Sequence, residues 1–298
     1  MKKSVLKGFV VSVSILLAGF VAIYAGFSGE YCGRVVYASA DVTERTVIDL
    51  PIVMYHKVLK GSKGKYVVSP EQLENDFIAI KEAGFTSVHL REVIDWVDGK
   101  GSLPEKPIVL TFDDGHYNNM HYAYPIAQKH GIKFNINPVT SFSKHSVDHN
   151  DTSNPNYSHL SWDQMRELCE SGVVEFGNHT HAMHAFRPRF GIAAVSGEPT
   201  DVYVENLRKD INIAQEWFEK SGVVRPTTFA YPFGKYTPEG KQLLKEMGFR
   251  ALLTCNEGIN QIDKNDPWRM CALRRYNRDG HWTTENLMAK INPIKIKN

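Results

Sequence analysis

Two carboxylates stand side by side at Asp113 and Asp114, behind the apolar run Ile108-Val109-Leu110 and ahead of Gly115. Charges of one sign that close together raise one pKa unless a cation lies between them. An isolated Asp-Asp-Gly reads as a turn or a helix N-cap, because Asp suits both. Here the β-branched run in front predicts a buried strand that ends on the pair. At a strand end, with Gly115 allowing a sharp turn, both side chains can enter one cleft with different jobs. Downstream, His179, His181 and His184 follow a second predicted strand. One carboxylate with two imidazoles suits a divalent cation such as zinc, leaving positions open for water and substrate. The other carboxylate then stays free as a base, and the cation lowers the pKa of bound water towards neutrality.

His179, at the strand end, is the first ligand to name. His184 is preferred to His181 as the second, because His181 shares a face with His179 only on a continuing strand. Thr180, Ala182 and Met183 do not argue for continuation. Read alone, the cluster is equally well a polar loop of exposed histidines. His56 and Tyr231 also fall at the ends of predicted strands. In parallel α/β folds that edge is where ligands bind and reactions occur. The lone histidines His116, His121 and His130 read as structural or exposed.

The elements that must hold these groups alternate. Residues 51–56 form a first candidate strand, and Ser69-Pro70-Glu71-Gln72 opens a helix with a capping box and proline at its first position. A short strand over 85–88 and a helix over 90–97 precede the Asp-Asp strand. A helix over about 117–130, a strand over 133–137, a polar surface excursion over 143–159 and a second capping box at Ser161 follow. A strand over 173–178 runs into the histidines. An irregular segment spans 186–199, an amphipathic helix 201–221, and strands 228–231 and 249–254. This alternation predicts an α/β architecture with a parallel sheet or barrel.

The 298 residues, 42% of them apolar, suffice for one large domain or two small ones. A net charge of +2 and the lack of a basic block interleaved with aromatics give no support for nucleic-acid binding. Cys32, Cys169, Cys255 and Cys271 contain no CxxC pair and form neither a zinc ribbon nor a dense disulfide framework. A Cys255–Cys271 bridge is open outside the cytosol, with free thiols preferred. Lys2, Lys3 and Lys7 precede an uncharged apolar run from Gly8 to Phe27. Residues 1–27 are therefore expected as a signal or, by preference, an uncleaved membrane anchor that places the bulk of the chain outside the cytoplasm. Ala38-Ser39-Ala40 is similar to a signal-peptidase site. Residues 28–50 read as a stalk and 51–298 as one catalytic domain.

In chain order, Thr111-Phe112-Asp113-Asp114-Gly115, Gly177-Asn178-His179-Thr180 with a following histidine, and Phe229-Ala230-Tyr231-Pro232-Phe233-Gly234 resemble the motifs of the polysaccharide deacetylases of the NodB-homology family, carbohydrate esterase family 4. The resemblance covers about Pro51 to Lys290. It implies a distorted (β/α) barrel and divalent-metal-dependent removal of acetyl groups from N-acetylated sugars. The implied partners are peptidoglycan, poly-N-acetylglucosamine or a chitin-like polymer. By position, Asp113 matches the catalytic base; Asp114, His179 and His184 match the metal ligands. Tyr231 lies in the segment whose backbone N–H stabilises the oxyanion.

Two departures are informative. The common spacing puts the second histidine four residues after the first, where Met183 stands; the longer spacing is similar to the branch containing poly-N-acetylglucosamine deacetylases. The arginine usual beside the oxyanion segment is Ala230 here. Arg274 or Arg275, from a late strand at Ala272-Leu273, is the candidate to orient Asp113, with a surface charge the even alternative. The leaving amine needs an acid: His56 is preferred, while for His281 an exposed role is the better reading. Trp162, Tyr157 and Trp282 offer faces for sugar rings, although Trp162 at a helix start packs as readily. A non-catalytic sugar-binding barrel and an O-acetyl esterase are the rival functions.

Overall fold

Parallel pairing carries the chain round a closed ring of strands. The computed structural model describes residues 45–293. Its strands are β1 (Val47–Leu50), β2 (Ile52–Tyr55), β3 (Lys57–Val58), β4 (Val67–Val68), β5 (Thr86–Ser87), β6 (Pro107–Asp114), β7 (Phe134–Pro138), β8 (Val174–Phe176), β9 (Thr228–Ala230), β10 (Ala251–Leu253), β11 (Asn260–Asp263) and β12 (Tyr276–Asn277). The helices are α1 (Pro70–Glu82), α2 (Leu90–Val97), α3 (Tyr124–His130), α4 (Thr140–Asp148), α5 (Trp162–Glu170), α6 (Thr200–Lys220), α7 (Pro238–Glu246) and α8 (Thr284–Ile291). The order β12-β2-β6-β7-β8 is parallel throughout. An isolated bridge, Asn178–Phe229, leads on to the parallel pair β9–β10, and Leu253–Leu273 returns the chain to the approach of β12. The ring is thus closed by single bridges as well as by ladders, which makes it the distorted (β/α) barrel expected.

Local chemistry starts the helices where the sequence reading places them. Ser69 and Ser161 accept from the backbone N–H of Gln72 and Gln164, and each glutamine side chain reciprocates. Side chains alternate along β6. Ile108, Leu110 and Phe112 join the core that α1, α5 and α8 cover. The opposite positions, Val109, Thr111 and Asp113, pass from an apolar base to a polar mouth. That gradient delivers carboxylates to the C-terminal edge of the ring.

Three expectations change. Val47–Leu50, placed in the stalk, is a strand paired antiparallel with β11, and Ile48 and Leu50 are buried. Its alternation is only four residues long, too short to stand out. The polar excursion contains α4, which buries Thr140, Ser143 and Ser146 rather than apolar residues. The helix from Tyr117 instead begins with a π-type turn over Asn119–Ala123, which continues into α3. As expected, the strand does not continue beyond His179, where Thr180 has a left-handed φ of 75°. The signal or anchor segment at 1–27 lies outside the described residues. Among the described residues, no helix is long and apolar enough to cross a membrane.

Candidate active site

The backbone turns sharply between the two carboxylates. Asp114 and Gly115 have φ of 72° and 73°, both left-handed. At residue 115 a Cβ would meet Pro138 Cβ at 2.5 Å, so glycine is required there for room as well as conformation. Asp113 therefore stays on the strand, buried in the ring, while Asp114 swings over its mouth. Asp114 Oδ1 lies 3.3 Å from His184 Nε2 and 3.8 Å from His179 Nε2. Its other oxygen is 3.3 Å from His116 Nε2.

This donor set fits a divalent cation. One ligand atom each from Asp114, His179 and His184 lie within 4.8 Å of one another. Asp114 Oδ1 is buried without a hydrogen-bond partner. His179 Nδ1–H donates to the Ala230 carbonyl at 2.7 Å, which leaves Nε2 as the lone-pair atom facing Asp114. Burial brings the pKa of His179 down to about 4, against the pull of Asp113, so the ring is neutral and able to ligate. Burial would raise the Asp114 carboxyl, but His116, His56 and His179 hold it well below the usual range.

The loop that returns His184 is pinned from outside. Asp210 on α6 accepts the N–H groups of His181 and Ala182, each at 2.8 Å. His181 turns away and meets Thr140 Oγ1 at 2.9 Å. His184, not His181, joins the triad.

Asp113 is held separately. Arg275, fully buried at 0% exposure, donates Nη1–H to Oδ1 and Nη2–H to Oδ2, both at 2.8 Å. Asn137 adds a bond to Oδ1 at 2.8 Å. Burial pushes this carboxyl up, yet Arg275 and His179 outweigh it and hold the group far below the carboxylate range. Arg275 is thus the arginine that Ala230 does not supply. Arg274 instead packs against Gly258.

A family model described as polysaccharide deacetylase matches residues 100–252, from before β6 to within β10. This chain belongs to the polysaccharide deacetylase family. It is 26% identical over 222 residues to the poly-beta-1,6-N-acetyl-D-glucosamine N-deacetylase of Escherichia coli K12, covering 67% of this chain and 32% of that one. It is 25% identical over 203 residues to the protein of the same name from Staphylococcus aureus MRSA252, covering 67% and 65%. The chain therefore spans about a third of the E. coli relative and about two thirds of the S. aureus one. Among solved structures, a de-N-acetylase from Aggregatibacter actinomycetemcomitans superposes with TM-score 0.66 at 23% identity, covering 80% and 98% of the two chains. IcaB from Ammonifex degensii gives 0.66 at 22% identity, covering 82% and 97%. These share the deacetylase fold.

Within that fold, several residues differ from expectation. Tyr231 does not offer its N–H: the amide donates to the Leu253 carbonyl at 3.0 Å inside the ring, and the side chain is buried under α6 and α7. Pro232 has no N–H, so the next donor in the segment is Phe233, which makes no such bond among the described residues. Phe233 has a left-handed φ of 57° and its ring lies 4.4 Å from that of His184. Of the two readings given for His116, structural or exposed, the exposed one falls: it is buried against Asp114. Its position two residues beyond the Asp-Asp pair was the available signal. His56 lines the same cleft, beside Tyr66. His281 does not: its side chain is 66% exposed and paired with Asp279.

The cleft has a volume of about 690 Å³ and is walled on one side by Phe186, Phe190 and Phe233, stacked on one another. The expected sugar-facing aromatics lie elsewhere. Trp162 stacks on Trp217 at 4.7 Å as a packing residue, and neither Tyr157 nor Trp282 lines the cleft. Cys169, Cys255 and Cys271 are free thiols; Cys32 lies outside the described residues.

Proposed function

We propose that this chain is a metal-dependent N-deacetylase acting on an N-acetylhexosamine polymer of the poly-β-1,6-N-acetylglucosamine type. The observation that carries the reading is the different treatment of two neighbouring carboxylates. Asp113 is clamped to Arg275, while Asp114 is turned onto His179 and His184. The names of the relatives support the choice of polymer. The basic and then apolar N-terminus, taken as an export or anchor segment, supports a substrate met outside the cytoplasm.

Asp114, His179 and His184 would hold the cation, zinc on the chemistry of the donors. A bound divalent cation supplies Lewis-acid polarisation of the acetyl carbonyl and acidifies water. Asp113, ionised and fixed, accepts the proton of the attacking water. A carboxylate of such low pKa is a weak base, so the reaction needs that acidified water. The Phe233 N–H is the donor available to negative charge on the former carbonyl oxygen. His56 gives the proton to the leaving nitrogen. Burial lowers the His56 pKa against the opposing pull of Asp114 and Asp113, which makes its charged form a stronger acid. The C–N bond breaks, and acetate and a free amine leave.

Acetate release from β-1,6-linked N-acetylglucosamine oligomers, with and without a chelator, tests this reading. Release that stops on chelation and returns with zinc is expected. Release only from O-acetylated xylan would reassign the site as an esterase, and binding without release would leave a sugar-binding barrel. The arginine missing from position 230 favours that last alternative, and Arg275 on Asp113 weighs against it.

A further inference from the structure

The carboxylate of Asp113 offers about four lone-pair positions. Oδ1 accepts two hydrogen bonds, from Arg275 Nη1 and from Asn137 Nδ2; Oδ2 accepts one, from Arg275 Nη2. One position therefore remains, on Oδ2. Arg275 alone would leave the two oxygens equivalent, because its fork binds both alike. Asn137 breaks that symmetry.

We infer that Asn137 is a positioning residue that closes Oδ1 and assigns proton acceptance to Oδ2, and that residue 177 must be glycine for it to do so. The inference rests on the base role proposed for Asp113. Asn137 sits directly opposite Asp113 in the β6–β7 register and is fully buried. Its amide orientation is fixed by chemistry, since an ionised carboxylate only accepts and the NH₂ must face it. The Asn137 Oδ1 then points the other way, to the chain beyond β8, where it has no partner. A Cβ on residue 177 would lie 2.1 Å from that oxygen, 3.3 Å from Asn137 Cγ and 2.7 Å from Thr228 Oγ1. Gly177 is not in the left-handed region, so the requirement is for room and not for backbone freedom. Any side chain there displaces the Asn137 amide. Gly177 precedes Asn178 and His179 in one of the motifs that identified the family, and this clearance gives it a physical role.

The experiment compares wild type, Asn137→Ala, Asn137→Leu, Gly177→Ala and the double variant Asn137→Ala/Gly177→Ala. The substrate is a β-1,6-linked N-acetylglucosamine pentamer, and zinc content is measured on the same preparations. Asn137→Ala and Asn137→Leu are expected to lower kcat by about 10- to 100-fold, the range for a buried hydrogen bond to a charged group. KM stays within about two-fold and zinc is retained, because Asn137 makes no hydrogen bond to Asp114, His179 or His184. Leucine keeps most of the volume, so equal losses in the two variants point to the missing donor and not to packing. Gly177→Ala is expected to lose a similar factor, and the double variant to be no slower than Gly177→Ala alone, because the close approach to Thr228 Oγ1 is common to both and the amide that the new methyl group would displace is already gone. Asn137 variants within about two-fold of an active wild type would overturn the inference alone, as would losses that multiply in the double variant. A wild type that releases no acetate would overturn the proposed function, and the inference with it.

Discussion

Two buried arginine–aspartate pairs, whose arginines lie three residues apart in sequence, have different surroundings. In the outer layer, Arg278 donates to both oxygens of Asp76 at 2.6 and 3.1 Å, joined by Thr284 Oγ1 at 2.7 Å and Tyr55 O–H at 3.1 Å. Every lone-pair position of Asp76 is taken, and the carboxylate is 0% exposed. In the barrel mouth, Arg275 grips Asp113, a residue that lines the cleft, with Nη1 and Nη2 where Arg278 uses Nε and Nη2, and one acceptor position of Asp113 stays open. The first pair ties α1 to the segment after β12 and has no capacity left for chemistry. The second, on the proposed function, uses the same kind of contact to aim an unsaturated base. Burial and an arginine partner do not distinguish a structural carboxylate from a working one; the unfilled acceptor position does.

That contrast can be broken by mutation. The largest effect is expected for Asp113→Asn, which should lower acetate turnover by about 1,000-fold, the scale of general-base catalysis. Steady-state kinetics on the oligomer check it; turnover near the wild-type value would make the two pairs equivalent. Next, Asp76→Asn leaves Arg278 buried without its counter-charge and should cost about 3–5 kcal/mol of stability. Urea unfolding measures that loss, while kcat of the folded fraction should stay within about two-fold. A smaller effect tests the loop. His181→Ala loses one neutral hydrogen bond, about 1 kcal/mol, and should keep its zinc, whereas His184→Ala should lose it. The smallest concerns a pair at the rim of the fold. Hydrogen bonds from Arg250 hold the Asp98 pKa at about 2, below its ordinary 3.8. A depressed carboxylate stabilises above its unfolded value, so this contribution should be present at neutral pH and fade as pH falls from about 4 towards 2. For a partly exposed pair it should not exceed about 1 kcal/mol. Comparing wild type with Asp98→Asn by thermal unfolding should show the full gap at pH 7, a reduced one at pH 3, and little left at pH 2.

Much of the site was legible because its chemistry is local in sequence. The Asp-Asp-Gly turn, the histidine cluster and the strands that carry them announce themselves within a few residues. Arg275 could not be chosen over Arg274 in the same way, because its partner Asp113 is 162 residues away and only closure of the ring brings them together. The Tyr231 amide was misread for a related reason. Whether an N–H is free depends on the strand beside it, and β10 takes this one. For His116 the closeness to the Asp-Asp pair is visible in sequence, but the left-handed turn at Asp114 that folds the second carboxylate back onto it is not. Phe186 and Phe190 of the phenylalanine wall lie in a segment without period, so neither strand nor helix patterning marked them.

The central claim is that one carboxylate holds a cation while its neighbour works unbound. Zinc stoichiometry of Asp113→Asn and Asp114→Asn, measured beside acetate release, tests this most directly. The account predicts one zinc per chain without turnover in Asp113→Asn, and loss of both in Asp114→Asn. Zinc retained in Asp114→Asn, or lost in a folded Asp113→Asn, would contradict it.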